Sequence, residues 1–494
     1  MTACLPAFAA DVVVATHYFY WYNWPKEHFK QPGPAPSEGH FHHFVNPEKV
    51  SYLSEDWHAG ELWMMKAAGI DVALPVYWGA PGAYDRRGVS FSLAGLKPMV
   101  AAAKRLGGRA PKLGLFYDTS TLLNDVRGVA PAGGRADLTT PRGRDLFART
   151  IIEYFERIPR SLWGTMDGRA LVVLYRSDFA AKWDEKLVPA LRNAFAKRFP
   201  SEGVFLVADV TWGEMGQDRT TEWTSTITGP KLYPGVAQIG PGYNDSPVPG
   251  RTTPHREREA GNFYRYSWQK AIAHQPELVL LETWNEMHEG TEICQTRETG
   301  LKYVELTAEW TDRLRRGSAE GRPIKLKFPK PRFHRDMSWG AEAKSAETVF
   351  VDYAGAVERF GLRERPLSDG PVAVNQHALV SRPRAGGKAR YVYFQVSDQW
   401  RFELPAEPAV DLHLTIETRT SSRLWIEFDS HNEAAHMSGT YTPGEPLGGR
   451  RSSTVHRFNL NAPMFGNRQN GACDFRIVLQ GPMVEITRVA LTTR

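Results

Sequence analysis

From Asp11 to about Gly317 the chain repeats one unit, a short β-branched run followed by an amphipathic helical stretch, roughly every 30 residues. Candidate strands are Val12–Tyr20, Ile70–Tyr77, Lys112–Tyr117, Ala170–Tyr175, Val204–Val210, a weak Thr224–Thr228, Val236–Ile239 and Leu278–Thr283. Candidate helices fall between and after them at Glu55–Ala68, Ser92–Leu106, Arg142–Ile158, Lys182–Phe199, Gly261–His274 and Thr296–Arg315. The first helix ends on Gly69 and runs straight into an apolar strand, the usual helix-stop signal. Strand–helix repeats of this length require a parallel sheet with right-handed crossovers. About eight of them point to a closed (β/α)8 TIM barrel. An open doubly wound sheet would place a Gly-rich phosphate loop after the first strand, and none follows.

The pattern changes after the repeat. Residues 318–345 carry the basic, Pro-bearing stretch Gly321–Arg335 and read as a linker. From 346 to 494 short alternating runs recur at Tyr391–Val396, Val410–Glu417, Arg423–Phe428, Thr454–Asn459, Cys473–Leu479 and Val484–Leu491, separated by Gly, Pro and Asn turns. That pattern predicts an antiparallel, jelly-roll-like β-sandwich used as an accessory domain. At 494 residues the chain has room for two or three domains.

Composition excludes several classes. Three cysteines, Cys4, Cys294 and Cys473, form no disulfide framework and have no metal-ligand spacing. No apolar run reaches the roughly 20 residues of a membrane span. Lys plus Arg exceeds Asp plus Glu by six, 61 against 55, too mild an excess to imply nucleic acid. Residues 1–10, MTACLPAFAA, end like the small-residue end of a signal peptide, so secretion or periplasmic export is expected, with this segment a signal remnant. The 15 Trp, 18 Tyr and 24 Phe are the informative part, because flat aromatic faces stack on sugar C–H faces as readily as they fill cores.

In a barrel of this type function sits where strands end. The first strand closes with Tyr20 and Trp21, the second with Tyr77 and Trp78, the third with Tyr117 and Asp118, and the fourth with Tyr175. The fifth gives Asp209 and Trp212, the seventh Tyr243, and the eighth runs through Trp284 toward His288. Aromatic and polar groups recurring at seven of eight ends describe a sugar site, and these residues are the candidate substrate contacts.

The sharpest signal is Trp284-Asn285-Glu286-Met287-His288-Glu289-Gly290, directly after the eighth strand. Glycosidic cleavage needs one group to protonate the leaving oxygen and another to act as base or nucleophile. Glu286 and Glu289, three residues apart, supply both on one turn. The structural alternative is acidic residues enriched at a helix start. The loop His40-Phe41-His42-His43 fits no standard metal site and reads as a polar loop. His17 either contacts sugar or stabilises the rim. Gly-x-Ser-x-Gly is missing, so an esterase has no support.

The segments HYFYWYNW, ALPVYWG and ETWNEMHEGTEI resemble the family 99-like glycoside hydrolases. The nearest likeness is to a bacterial group known as domain of unknown function 5010, with a more distant one to family 71 α-1,3-glucanases. The likeness covers most of residues 11–315. It implies that Glu286 is the base for the sugar 2-hydroxyl, giving a 1,2-anhydro intermediate, and that Glu289 is the acid and then the base for water. It also implies that Trp78 lines a subsite. The third strand ends Phe116-Tyr117-Asp118-Thr119, where family 99 has a His–Glu–Pro–Tyr element. The segment from Met464 to Arg476 resembles the accessory sandwich of the same bacterial group.

The expectation is a retaining, endo-acting glycoside hydrolase with a carbohydrate substrate, needing no cofactor and no metal. Two rivals stay open: a non-catalytic glycan-binding barrel, and binding of an anionic polymer through Gly321–Arg335.

Overall fold

The structure is a computed structural model. It describes residues 12–493 except 30–38, 80–90, 125–133, 249–250, 252, 319–320, 329–330, 333–334, 368–371, 376, 383–388, 409, 432–444, 449–452 and 480. The expected signal remnant at residues 1–10 lies outside the described residues. The chain divides into two compact units, residues 1–249 with 257–329, and residues 250–256 with 330–494.

The first unit is a near-closed TIM barrel. Its strands are β1 (Val13–Tyr18), β2 (Val72–Tyr77), β3 (Leu115–Tyr117), β4 (Arg169–Leu174), β5 (Val204–Asp209), β6 (Arg219–Thr221), β7 (Val236–Ile239) and β8 (Leu278–Leu281). They pair in the order β6-β5-β4-β3-β2-β1-β8-β7, every pair parallel. Across the seam between β6 and β7, Thr221 donates its hydroxyl to Gln238 Oε1 at 2.5 Å. The helices are α1 (Glu55–Ala67), α2 (Phe91–Leu106), α3 (Pro141–Glu156), α4 (Leu187–Arg198), α5 (Ser225–Thr228), α6 (Asn262–His274) and α7 (Lys302–Arg315). None of the described helices is long and apolar enough to cross a membrane.

The sixth strand needs correction. Thr224–Thr228 is not a strand; Arg219–Thr221 takes that place, and Ser225–Thr228 is the one-turn helix α5. β-branched threonines suggest a strand, but here backbone and hydroxyl groups of Thr224, Ser225 and Thr226 converge on the Glu282 carboxylate. The last helix starts six residues later than expected, at Lys302.

The second unit is the expected antiparallel sandwich. A seven-stranded and a five-stranded sheet share one core. Val349, Leu414 and Ile486 come from one sheet, and Phe394, Ile426 and Phe475 from the other. Both described cysteines, Cys294 and Cys473, are free and buried.

Gly69 locks the base of the barrel. At φ +82° it ends α1, its N–H donating to Lys66 O while Ile70 N–H donates to Met65 O. A Cβ there would lie 2.3 Å from Thr311 Oγ1 of α7, whose hydroxyl donates to Ala68 O. Gly69→Ala therefore meets both an unfavourable left-handed backbone and an overpacked contact, together about 2–4 kcal/mol. Urea denaturation should show that loss; a change below about 0.5 kcal/mol would contradict the argument.

Candidate active site

The loop after β8 is built by backbone hydrogen bonds that return it to the barrel. Thr283 N–H donates to Thr291 O at 3.1 Å, Thr291 N–H to Glu286 O at 3.3 Å, and Ile293 N–H to Trp284 O at 2.9 Å. The loop is tied to β1 as well. Trp284 N–H donates to His17 O, Phe19 N–H to Asn285 Oδ1 at 2.8 Å, and the Tyr22 hydroxyl to Asn285 O at 3.1 Å. Met287 N–H then donates to the Tyr22 oxygen at 3.0 Å. Gly290 turns the loop at φ +57°, where a Cβ would strike Phe41 at 2.8 Å.

A buried ion pair closes the turn. Glu292 is fully buried, and Arg258 Nη2 reaches its carboxylate at 2.5 Å while also donating to Gly290 O at 2.8 Å and Glu292 O at 2.9 Å. His42 Nδ1–H donates to the same carboxylate oxygen at 2.7 Å. The Arg258 guanidinium lies 4.4 Å from the centre of the Tyr303 ring. Removing one partner of such a pair costs about 3–5 kcal/mol, because the other charge stays buried.

Glu286 and Glu289 sit on this turn. Glu286 is buried; its backbone N–H donates to Thr283 Oγ1 at 3.0 Å, and its Oε1 accepts His288 N–H at 3.2 Å. Glu289 is half-buried, and its carbonyl accepts Asn244 N–H at 2.7 Å. Their surroundings differ. The charge of Glu286 acts on Tyr22, that of Glu289 on Tyr175 and on Glu282. Burial pushes all three of those neighbours upward in proton affinity. Glu282, buried at the end of β8, is opposed in this by its donors, Ser225 N–H and hydroxyl and Gln238 Nε2 among them.

The expected aromatic ring separates into two layers. Trp21, Trp78 and Tyr175 are half-buried at the mouth. Trp78 donates its indole N–H to Asp118 Oδ2 at 2.6 Å, and Trp21 stacks on His28 at 4.5 Å. Asp118 is buried, and its proton affinity is raised by that burial. By contrast Tyr20, Tyr77, Tyr117, Trp212 and Trp284 are almost completely buried and pack outward. Tyr20 donates to Ser92 O of α2, Tyr77 and Tyr117 meet Tyr154 and Phe147 of α3, Trp212 packs on Phe147 and Trp183, and Trp284 donates to Glu61 of α1. The reason is the two-residue period of a strand: Phe116 faces inward toward His17, so its neighbour Tyr117 faces the helices. Asp209 spends its carboxylate on Thr211 N–H and hydroxyl and on Trp223 N–H. Tyr243 donates to Asp245 at 2.9 Å.

The histidines near the mouth are structural partners. His288 Nδ1–H donates to Gly39 O at 3.0 Å, leaving Nε2 to accept His28 Nδ1–H at 3.3 Å. His40 Nε2–H donates to His28 O at 2.6 Å, and burial pulls its proton affinity down to about 3. His17 is neutral for the same reason, at about 4, with Nδ1–H on Leu281 O. Among the described residues no group of three or more His, Cys, Asp or Glu side chains is arranged to hold a metal ion.

Four residues of the site were not among the candidates: Glu282, Arg258, Glu292 and Trp223. Glu282 and Glu292 flank the candidate carboxylates and carry a visible acidic signal. Arg258 and Trp223 come from distant loops with no local pattern.

The α1 contact yields a pH test. Glu61 accepts the Trp284 indole N–H at 2.5 Å, and burial raises its pKa from 4.5 to about 7. The unfolded chain releases this proton near 4.5, so Glu61 removes stability as pH rises from there through 7. Glu61→Gln abolishes that term. Its stability relative to wild type should improve by up to about 3 kcal/mol between pH 4.5 and pH 8. A difference in Tm that is the same at both pH values would refute the assignment.

The family model described as "Domain of unknown function (DUF5010)" matches residues 8–329. A glycoprotein endo-alpha-1,2-mannosidase-like protein of Mus musculus is 33% identical over 92 residues, 16% of this chain and 20% of that protein. The Homo sapiens protein of the same description is 30% identical over 92 residues, with the same coverage. The chain thus spans about a fifth of the length of the curated relatives it matches. A solved GH99 endo-alpha-mannosidase from Bacteroides thetaiotaomicron is 16% identical with a TM-score of 0.45, covering 63% of this chain and 99% of that one. With the match running through the whole barrel, from before β1 to beyond α7, the chain belongs to the DUF5010 family.

Proposed function

We propose that this chain is a glycoside hydrolase that cleaves an oligo- or polysaccharide at the barrel mouth, with Glu286 and Glu289 as its reacting carboxylates. The observation that carries the reading is their placement. Both lie on one turn at the C-terminal end of β8, held by backbone hydrogen bonds and by the buried Arg258–Glu292–His42 cluster. Such fixation is what general acid–base catalysis needs, since a misplaced carboxylate loses most of its effect. Half-buried Trp21, Trp78 and Tyr175 around it suit a hydroxyl-rich ligand with apolar C–H faces.

The cleavage we favour is retaining and endo-acting. Glu286 removes the proton of the sugar 2-hydroxyl as that oxygen attacks the anomeric carbon, and Glu289 protonates the leaving oxygen. Water, deprotonated by Glu289, then opens the 1,2-anhydro sugar, and Glu286 returns its proton. The names of the curated relatives make α-1,2-linked mannosides the first substrates to try. A polymeric substrate goes with export of the protein, which we include in the proposal.

Release of reducing ends from a polysaccharide panel that includes yeast α-mannan tests the reading. Glu286→Gln and Glu289→Gln should each lower turnover at least ~10²-fold with the thermal transition preserved. Near-wild-type turnover in either variant would remove that residue from the chemistry.

A further inference from the structure

We propose that Trp223 is a sugar platform of the mouth, stacking on the C–H face of a neutral hexopyranose unit and donating its indole N–H to one of that unit's oxygens. The proposal rests on the glycan reading above and adds a contact and a ligand class to it.

Trp223 follows β6 and is anchored by its backbone N–H, which donates to Asp209 Oδ2 at 2.8 Å. Its indole is held from three other strands. Phe116 of β3 lies parallel to it, 8° between planes and 5.5 Å between centres. His17 of β1 stands edge-on at 5.0 Å, and Tyr175 at the end of β4 stands edge-on at 5.1 Å. The ring is therefore rigid, yet it is only half-buried. One face rests on Phe116, and no other described aromatic ring lies parallel to it. A large flat surface fixed this firmly and left partly open has the form of a preorganised binding contact.

The indole N–H gives an independent indication. Trp78, Trp163, Trp183, Trp212 and Trp284 donate theirs to protein oxygens, whereas those of Trp21, Trp268 and Trp310 are buried without a partner. The Trp223 N–H has no hydrogen-bond partner among the described residues. A tryptophan with an apolar face and an uncommitted donor matches a pyranose, which offers both C–H groups and oxygens.

Charge narrows the ligand. Tyr175, against the edge of Trp223, feels the charges of Glu289, Asp118 and Glu282. Asp209 is bonded to Trp223 itself. Arg176 also acts on Tyr175, but it is paired with Asp178 at 2.6 Å. An acidic surrounding of this kind repels uronates, sulfated sugars and phosphates and admits neutral sugars.

The test is affinity electrophoresis of the full chain in gels containing yeast α-mannan, dextran, pullulan, barley β-glucan, xylan or polygalacturonate. At least one neutral polymer should retard the wild type, and polygalacturonate should not. Trp223→Ala and Trp223→Leu should weaken that retardation about tenfold, and Trp223→Phe less, because it keeps a flat face. On a polymer that is cleaved, Trp223→Ala should raise KM by a similar factor and change kcat little. Unchanged retardation in Trp223→Ala, or retardation by polygalacturonate alone, or none by any neutral polymer, would overturn the proposal. Should Trp223→Ala fail to fold, equal retardation of the Leu and Phe variants and wild type would do the same. Trp223-dependent binding without hydrolysis would sink the hydrolase reading and leave this one standing. Hydrolysis that depends on Glu286 and Glu289 but not on Trp223 would do the reverse.

Discussion

A carboxylate with no solvent access is costly unless its charge is answered, and Glu292 is answered by Arg258 and His42. The same arginine nitrogen that reaches the Glu292 carboxylate also donates to the carbonyls of Gly290 and Glu292. One side chain thus fixes the far end of the loop, while Thr283, Asn285 and Tyr22 fix the near end. Glu286 and Glu289 lie between these two anchors. The ion pair and these near-end hydrogen bonds thus frame the stretch that carries both carboxylates.

The barrel supplies the rest by alternation. Residues pointing inward at the ends of β1, β3 and β8 are His17, Phe116 and Glu282, and they floor the mouth. On β1 and β3 the next residues, Tyr18 and Tyr117, point outward and pack under α1 and α3. The floor is buried, and that burial keeps His17 neutral. Low solvent access strengthens the electrostatic interactions around it.

The same alternation decides what could be read from the chain. Strands with continuous apolar runs, such as Leu278–Leu281, and helices bounded by clear caps were legible because their signals are local. Glu286 and Glu289 stood out because the eighth strand leads directly to them. Which aromatic of a neighbouring pair faces the mouth was not legible, since a shift of one residue exchanges the faces. Tyr117 went to packing for that reason, and Trp212 did so from the 3-10 turn Val210–Trp212 that follows β5. Trp223 was missed because the weak sixth strand was read at Thr224–Thr228, just past it, and the turn that presents it forms only around Glu282. Arg258 was missed because its partner is 34 residues away in sequence.

Amide hydrogen exchange of residues 283–293 in Arg258→Met measures most directly whether the buried ion pair holds the loop of Glu286 and Glu289. These amides, slow in the wild type, should exchange at least ~10-fold faster in the variant while those of β1 and β2 stay protected, and turnover should fall by at least the same factor. Unchanged protection of this loop with wild-type turnover would show that the ion pair does not hold it.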